Sequence, residues 1–289
     1  MSYDIYTGLL KAFPLVAAGK NDVCFLYDNN HASYSLLKNK YPIEAVAGDG
    51  NDFSKAVNLL HWVSDHIYHK GDYMGKKGHT TLDLLDDSFD KELSCGINCV
   101  GLSAVLSDCL LAIGLKARQV FIMPCSPYDG DNHVVTHVYI NEMKKWVMLD
   151  PTFNAYMINE NGDYMSLLDI RNHLANQKPV FFNSEAKYND DVWTDESAKE
   201  TIEYFSKNVF YFQTCETSRI NVPDVPGNRL ITLCPHGYNP KQIKLSNIDY
   251  RIRKYGESPF MSEWKRGAEQ EEYVYCSADD FEKSPDRTV

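Results

Sequence analysis

The chain has 289 residues, 44% of them hydrophobic and 12% aromatic, enough for a sizeable packed core and unlike a disordered or fibrous composition. A formal net charge of −11 argues against nucleic acid or an anionic membrane as the main partner, because those surfaces gather Lys and Arg. No apolar run is long enough to span a bilayer, and the stretch from Leu9 to Gly19 is broken by Lys11 and Pro14, so a cytoplasmic chain without a cleaved leader is expected.

In chain order, residues 1–51 read as a helical or irregular segment packed on a core that begins near residue 52. Phe53 to Tyr68 reads as a helix, with Ala56, Leu59, Leu60, Val63 and Ile67 at helical spacing and Lys70-Gly71 closing it. The polar stretch from Asp72 to Glu92 shows no sustained periodicity and is expected to be a surface loop. From Leu102 the apolar residues fall at 102, 105, 106, 109, 110 and 113, a buried helical stripe that ends at Gly114. Three positions back on that stripe stands Cys99, with Asn98 as the N-cap. Ala117 to Met123 reads as a strand, and Val134 to Ile140 and Lys145 to Leu149 as a strand pair joined by a turn at Asn141 to Lys144.

Asn161-Gly162, between the apolar flanks of Tyr156 to Met165, predicts a type I′ hairpin. Asp195 to Phe205 reads as helix, which completes a core of residues 52–214. Residues 215–289 form a C-terminal extension with no assignable role, in which only short strands, such as Arg229 to Leu233 and Glu272 to Cys276, are legible. The polar tail, residues 279–289, is expected to be disordered. The predicted class is α+β, a helix packed on antiparallel strands.

The chemistry lies where these elements meet. In the first turn of a helix, unsatisfied backbone N–H groups and the dipole favour a thiolate, which gives Cys99 a physical reason to be reactive. An imidazole is then needed as base and a carboxylate to fix its tautomer, and a strand histidine with Asp150 can supply them. His133 and His137 lie four apart on one strand face. If the turn is centred between Glu142 and Met143, Asp150 lies opposite Val135, two positions from either, so register leaves both histidines open.

Cys95, Cys99, His133 and His137 imitate a zinc constellation, yet histidines four apart on a strand are separated by roughly 13 Å, too far to converge on one ion at about 2 Å. No metal and no cofactor are expected. Cys95 belongs to the turn entering the helix, as a neighbour or redox partner of Cys99, and the remaining cysteines, scattered without usable spacing, read as ordinary reduced thiols. Arg118 reads as a structural ion-pair partner rather than a substrate clamp, and Trp146 as packing beside the site. Asp129-Gly130-Asp131-Asn132 lacks the remaining ligands of a calcium loop and reads as a flexible lead into His133.

The stretch from Cys99 to Arg118, the His133 strand and Trp146-Val-Met-Leu-Asp150-Pro151-Thr152 together resemble the transglutaminase-like superfamily, a papain-like thiol fold, over roughly Asp52 to Leu174. The resemblance implies a catalytic triad of Cys99, His133 and Asp150, acyl transfer through a thioester, and a protein, peptide or small-molecule amide as substrate. Family spacing favours His133 as the base and leaves His137 as a site neighbour, standing where the family commonly has an acidic residue. Hydrolysis and transamidation share the first half of that chemistry. The competing expectations are a cysteine peptidase of the same fold and a non-catalytic binding module, while the absence of Cys-x-x-Cys pairs disfavours a glycan-releasing amidase. Oligomeric state is not legible.

Overall fold

A computed structural model of the chain describes residues 2–16, 23–72, 80–126, 128–129, 131–221 and 228–285. Helices α1 (Ser2–Ala12), α2 (Ala32–Lys40), α3 (Ile43–Ala47), α4 (Asp52–His66) and α5 (Thr81–Ser88), with the two-residue strand β1 (Leu26–Tyr27), precede α6 (Cys99–Ala112). Then come β2 (Lys116–Met123), β3 (His133–Ile140), β4 (Lys145–Asp150), β5 (Ala155–Ile158), α7 (Leu167–Ala175), β6 (Phe181–Phe182), β7 (Lys187–Tyr188), β8 (Asp191–Val192) and α8 (Asp195–Asn208). The rest of the chain adds β9 (Tyr211–Cys215), β10 (Thr217–Ser218), β11 (Leu230–Leu233), α9 (Pro240–Tyr255), α10 (Pro259–Gln270), β12 (Tyr273–Tyr275) and α11 (Ala278–Glu282). Among the described residues no helix is long and apolar enough to cross a membrane.

Eight strands form one sheet in the order β12-β11-β9-β2-β3-β4-β5-β6, antiparallel except for the β11–β12 pair. Every residue of β3 is buried, because both faces of the sheet are covered. On one face α6 lies across β2 and β3, where Gln119 Nε2 donates to the Val100 carbonyl at 2.8 Å and Thr136 Oγ1 sits 3.0 Å from the Ser103 hydroxyl. Leu102, Val105, Leu106 and Cys109 of α6 join α2, α4 and α5 in the apolar core of that side. On the other face Val120, Ile122, Val135 and Met148 pack with α7, α8 and Phe281. Burial on both faces explains why β3 reads His-Val-Val-Thr-His-Val-Tyr-Ile without a clean alternation.

The ends of α6 follow from its sequence. Asn98 accepts a hydrogen bond from the Gly101 N–H at 3.0 Å, and Gly114, at φ +91°, lets Leu115 N–H return to the Leu110 carbonyl and its own N–H to Leu111, a Schellman closure. The β3–β4 register, with Thr136 opposite Leu149 and Ile140 opposite Lys145, is the one the turn position predicts.

Four expectations are corrected. The stretch from Asp72 to Glu92 is not all loop: α5 forms from Thr80, whose side chain caps Asp83 N–H, and buries Leu84 and Leu85 together with the small polar residues Thr81 and Ser88, which break the apolar pattern. The extension holds three helices besides its strands, and α9 and α10 escape periodicity because so little of them is buried, only Pro240, Ile248 and Ala268. The tail is helical from Ala278 to Glu282, with Ser277 and Asp280 closing a capping box and Phe281 fully buried. The Asn161-Gly162 turn is not type I′, since Gly162 alone of the two has positive φ. Asn159 instead accepts from the Asn161 and Asp163 N–H groups, both at 2.9 Å.

Candidate active site

Cys99 is the first residue of α6, so its own N–H has no intrahelical acceptor. His133 opens β3 and Asp150 closes β4. His133 Nε2 lies 2.7 Å from Asp150 Oδ2, with the two side chains only 3% and 0% exposed, and Asp150 Oδ1 accepts the Thr152 N–H at 2.9 Å. With Nε2 committed to the carboxylate, Nδ1 is the imidazole nitrogen left for the Cys99 sulfur, to which His133 is hydrogen-bonded. Phe153, Tyr204 and Phe205 surround the ring at 5.5, 5.6 and 5.9 Å and keep water from the pair.

The electrostatics follow from this packing. Burial by itself pushes the Cys99 thiol up, but hydrogen bonds from His133 and His69, the positive charge of His133 and the Val134 N–H outweigh it and bring the thiol down to about 6. Burial disfavours the charged form of His133, yet the charge and hydrogen bond of Asp150, followed by those of Cys99, raise it to about 10. A thiolate–imidazolium pair is therefore the resting state across neutral pH. Burial drives Cys109 well above the usual thiol range, Cys215 and Cys234 to about 11 and Cys276 to about 12, so Cys99 stands apart chemically.

Sequence reasoning missed His69. It arrives through a parallel bridge between His69 and Ile97, two residues before Cys99, where Lys70 N–H donates to the Ile97 carbonyl at 2.9 Å. Gly96 permits the approach: a Cβ there would meet the Tyr68 carbonyl oxygen at 2.6 Å. The segment of β7 and its turn fixes the histidine from the other side. Tyr188 Oη lies 3.0 Å from Nδ1, Asn189 Oδ1 accepts the His69 N–H at 2.7 Å, and Asn189 Nδ2 donates to the His69 carbonyl at 3.3 Å. Nothing local in the sequence marks these contacts, which span about 30 residues to Cys99 and about 120 to Tyr188.

His137, Trp146 and Arg118 meet in a buried cluster of their own. His137 stacks on Trp146 and Phe281 at 5.0 and 6.0 Å, and burial followed by the Arg118 charge drives its pKa well below the usual imidazole range. Trp146 is packing, its indole N–H donating to the Lys283 carbonyl at 3.1 Å. Arg118 corrects the ion-pair expectation: fully buried, it donates to the Phe281 carbonyl and lies 4.3 to 4.5 Å from the rings of Trp146, Phe281 and Phe25, which accept the cation through their faces. Cys95 ends a 3-10 turn at Leu93–Cys95, and all eight cysteines are unpaired. Asp129 and Asp131 are held by Lys207 at 3.0 and 3.1 Å, which ties the lead into His133 to α8.

A helix with a cysteine at its head, laid on an antiparallel sheet whose neighbouring strands pair a histidine with an aspartate, defines the papain-like class of α+β cysteine-enzyme folds. The family model described as the transglutaminase-like superfamily matches residues 39–151. No curated protein matches the chain. A crystal structure of a protein proposed to be a cysteine protease, from Cytophaga hutchinsonii, is similar at 14% identity with a TM-score of 0.33. The match covers 60% of this chain and 58% of that one, so this chain spans under two thirds of the other protein's length. The match to that family model supports a cysteine-based enzyme in general.

Proposed function

We propose that this protein transfers acyl groups from an amide through a Cys99 thioester, to water or to an amine. Cys99 thiolate attacks the carbonyl carbon, the C–N bond breaks as His133 passes its Nδ1 proton to the departing nitrogen, and a thioester forms. Water or an amine then attacks the thioester, His133 takes that nucleophile's proton, and the C–S bond breaks to restore thiolate and imidazolium. Asp150 holds the imidazole in the tautomer and orientation both steps need. The oxyanion is received by the backbone N–H of Cys99 and by Nε2–H of His69, whose Nδ1 takes the Tyr188 hydroxyl.

The observation that carries this reading is the buried 2.7 Å His133–Asp150 pair facing a thiol whose pKa lies near 6. A scaffold that had lost its chemistry would have no need to hold a thiolate beside an imidazolium. The test is the pH dependence of iodoacetamide alkylation, mapped by mass spectrometry to each cysteine, beside turnover of a peptide library. Cys99 is expected to label with a midpoint near pH 6, and Cys99→Ala is expected to lose both that label and turnover with its circular dichroism unchanged. Labelling that begins only at strongly alkaline pH, or full turnover by Cys99→Ala, refutes the proposal.

A further inference from the structure

Between the sheet and helices α9 and α10 lies a cleft of about 510 Å³, large enough for a few residues of peptide. Phe121 of β2 and Gln213 of β9 are cross-strand partners on its floor, Arg251 of α9 and Trp264 of α10 line its far wall, and Asn132 lines its near rim. The near rim adjoins the start of β3. Asn132 immediately precedes His133, and Phe121 is paired across the strands with Val134, the residue after His133. Phe121 also shares a strand face with Gln119, which bonds to Val100 beside Cys99. The helices of the extension thus wall a space whose lining reaches the residue before His133, though Cys99, His133 and Asp150 do not themselves line it.

The charges select the occupant. Asp129 and Asp131 on the rim are taken by Lys207, and Glu271 by Lys244 at 2.6 Å. Arg251 differs: it donates Nε to Asn247 of its own helix at 2.8 Å and lies 6.0 Å from the Trp264 ring, and no carboxylate of the described residues pairs with it. In a chain of net charge −11, an arginine left without a carboxylate on the wall of a cleft is arranged to receive one from outside. We propose that this cleft binds the acyl donor, and that the donor is a peptide carrying a carboxylate held by Arg251, its apolar portion lying against Trp264 and Phe121. This rests on the thiol-enzyme reading of Cys99. The carboxylate has two sources, an Asp or Glu side chain or a free C-terminus.

The experiment uses the full chain and chloroacetamide peptides, in which the Cys99 sulfur displaces chloride. Each probe carries the electrophile on a diaminopropionyl side chain with either Glu or Gln up to three residues away, made with a free or an amidated C-terminus. Iodoacetamide, too small to reach Arg251, is the control. In the wild type at least one carboxylate-bearing probe is expected to label Cys99 about tenfold or more faster than its neutral twin, against the general repulsion of an acidic protein for an acidic probe. The Glu/Gln comparison and the acid/amide comparison separate the two carboxylate sources. Arg251→Gln is expected to bring the ratio to about one and Arg251→Lys to keep part of it, with iodoacetamide labelling unchanged in both.

Equal rates for charged and neutral probes in the wild type, which needs no variant, overturn the proposal, as does a preference that survives Arg251→Gln. Failure of iodoacetamide to label Cys99 at neutral pH would instead refute the thiol-enzyme reading itself, so the two failures are distinguishable.

Discussion

Asp150→Asn tests the electrostatics of the site at the position where geometry makes the clearest demand. Asp150 Oδ1 accepts the Thr152 N–H, and an asparagine oxygen can keep that bond. Its amide nitrogen then faces His133 Nε2 as a donor, where a carboxylate oxygen had accepted. The imidazole must answer by accepting at Nε2 and carrying its hydrogen on Nδ1, the nitrogen facing the sulfur, so it can no longer take the thiol proton. At pH 7 a thiol of pKa about 6 is about nine-tenths thiolate, while one at the unperturbed 9.0 is about one-hundredth thiolate. His69 and the Val134 N–H still favour the thiolate in the variant, and burial still opposes it. Alkylation of Cys99 at pH 7 is therefore expected to fall by roughly 10- to 100-fold, with the midpoint moving from about 6 toward alkaline pH. The assay is iodoacetamide labelling from pH 5 to 10, read at Cys99 by mass spectrometry, with thermal unfolding to show that the variant folds. A midpoint that stays within half a pH unit of wild type would refute the tautomer argument.

Other outcomes follow from the same contacts. Replacing His69 by Phe keeps the ring and removes the donor; kcat/KM on an amide found in the library screen is expected to drop about 10²- to 10³-fold, as for a lost oxyanion donor, and the labelling midpoint to rise because the thiolate loses a hydrogen bond. Unchanged turnover would remove His69 from the oxyanion site. In wild type, turnover is expected to rise through pH 6 as Cys99 ionises and to fall near pH 10 as His133 loses the proton it must give to the leaving group, and a profile lacking the acid limb would count against the ion pair. Away from the site, burial raises Asp108 to about 7 despite its bonds from the Thr81 hydroxyl and the Asn221 N–H. Because the folded-state value lies above the unfolded one, stability is complete below about pH 4 for this group and is lost as pH rises toward and past 7. A rise from 3.8 to about 7, at about 1.36 kcal/mol per pH unit, makes that loss about 4 kcal/mol at most. Asp108→Asn is expected to flatten the difference in Tm between pH 5 and pH 8 that wild type shows, and equal slopes in the two proteins would contradict the assignment.

The helix that carries Cys99, its cap at Asn98 and its stop at Gly114 were legible because capping and periodicity are local, set within one or two turns of backbone. The β3–β4 register was legible for a similar reason, since a short turn fixes which residues face each other. The same register could not choose between His133 and His137, which lie equally far from Asp150 along the ladder. The choice was made by what covers each end of the strand: Asp150, Phe153 and Tyr204 around one ring, Arg118, Trp146 and Phe281 around the other. His69, the cleft wall built by α9 and α10, and the buried helix α5 were likewise settled only in three dimensions. Their positions depend on partners tens to more than a hundred residues away, and on faces too polar or too little buried to imprint a period on the chain. A sequence determines the elements whose energies are local, and tertiary packing decides which of their side chains meet.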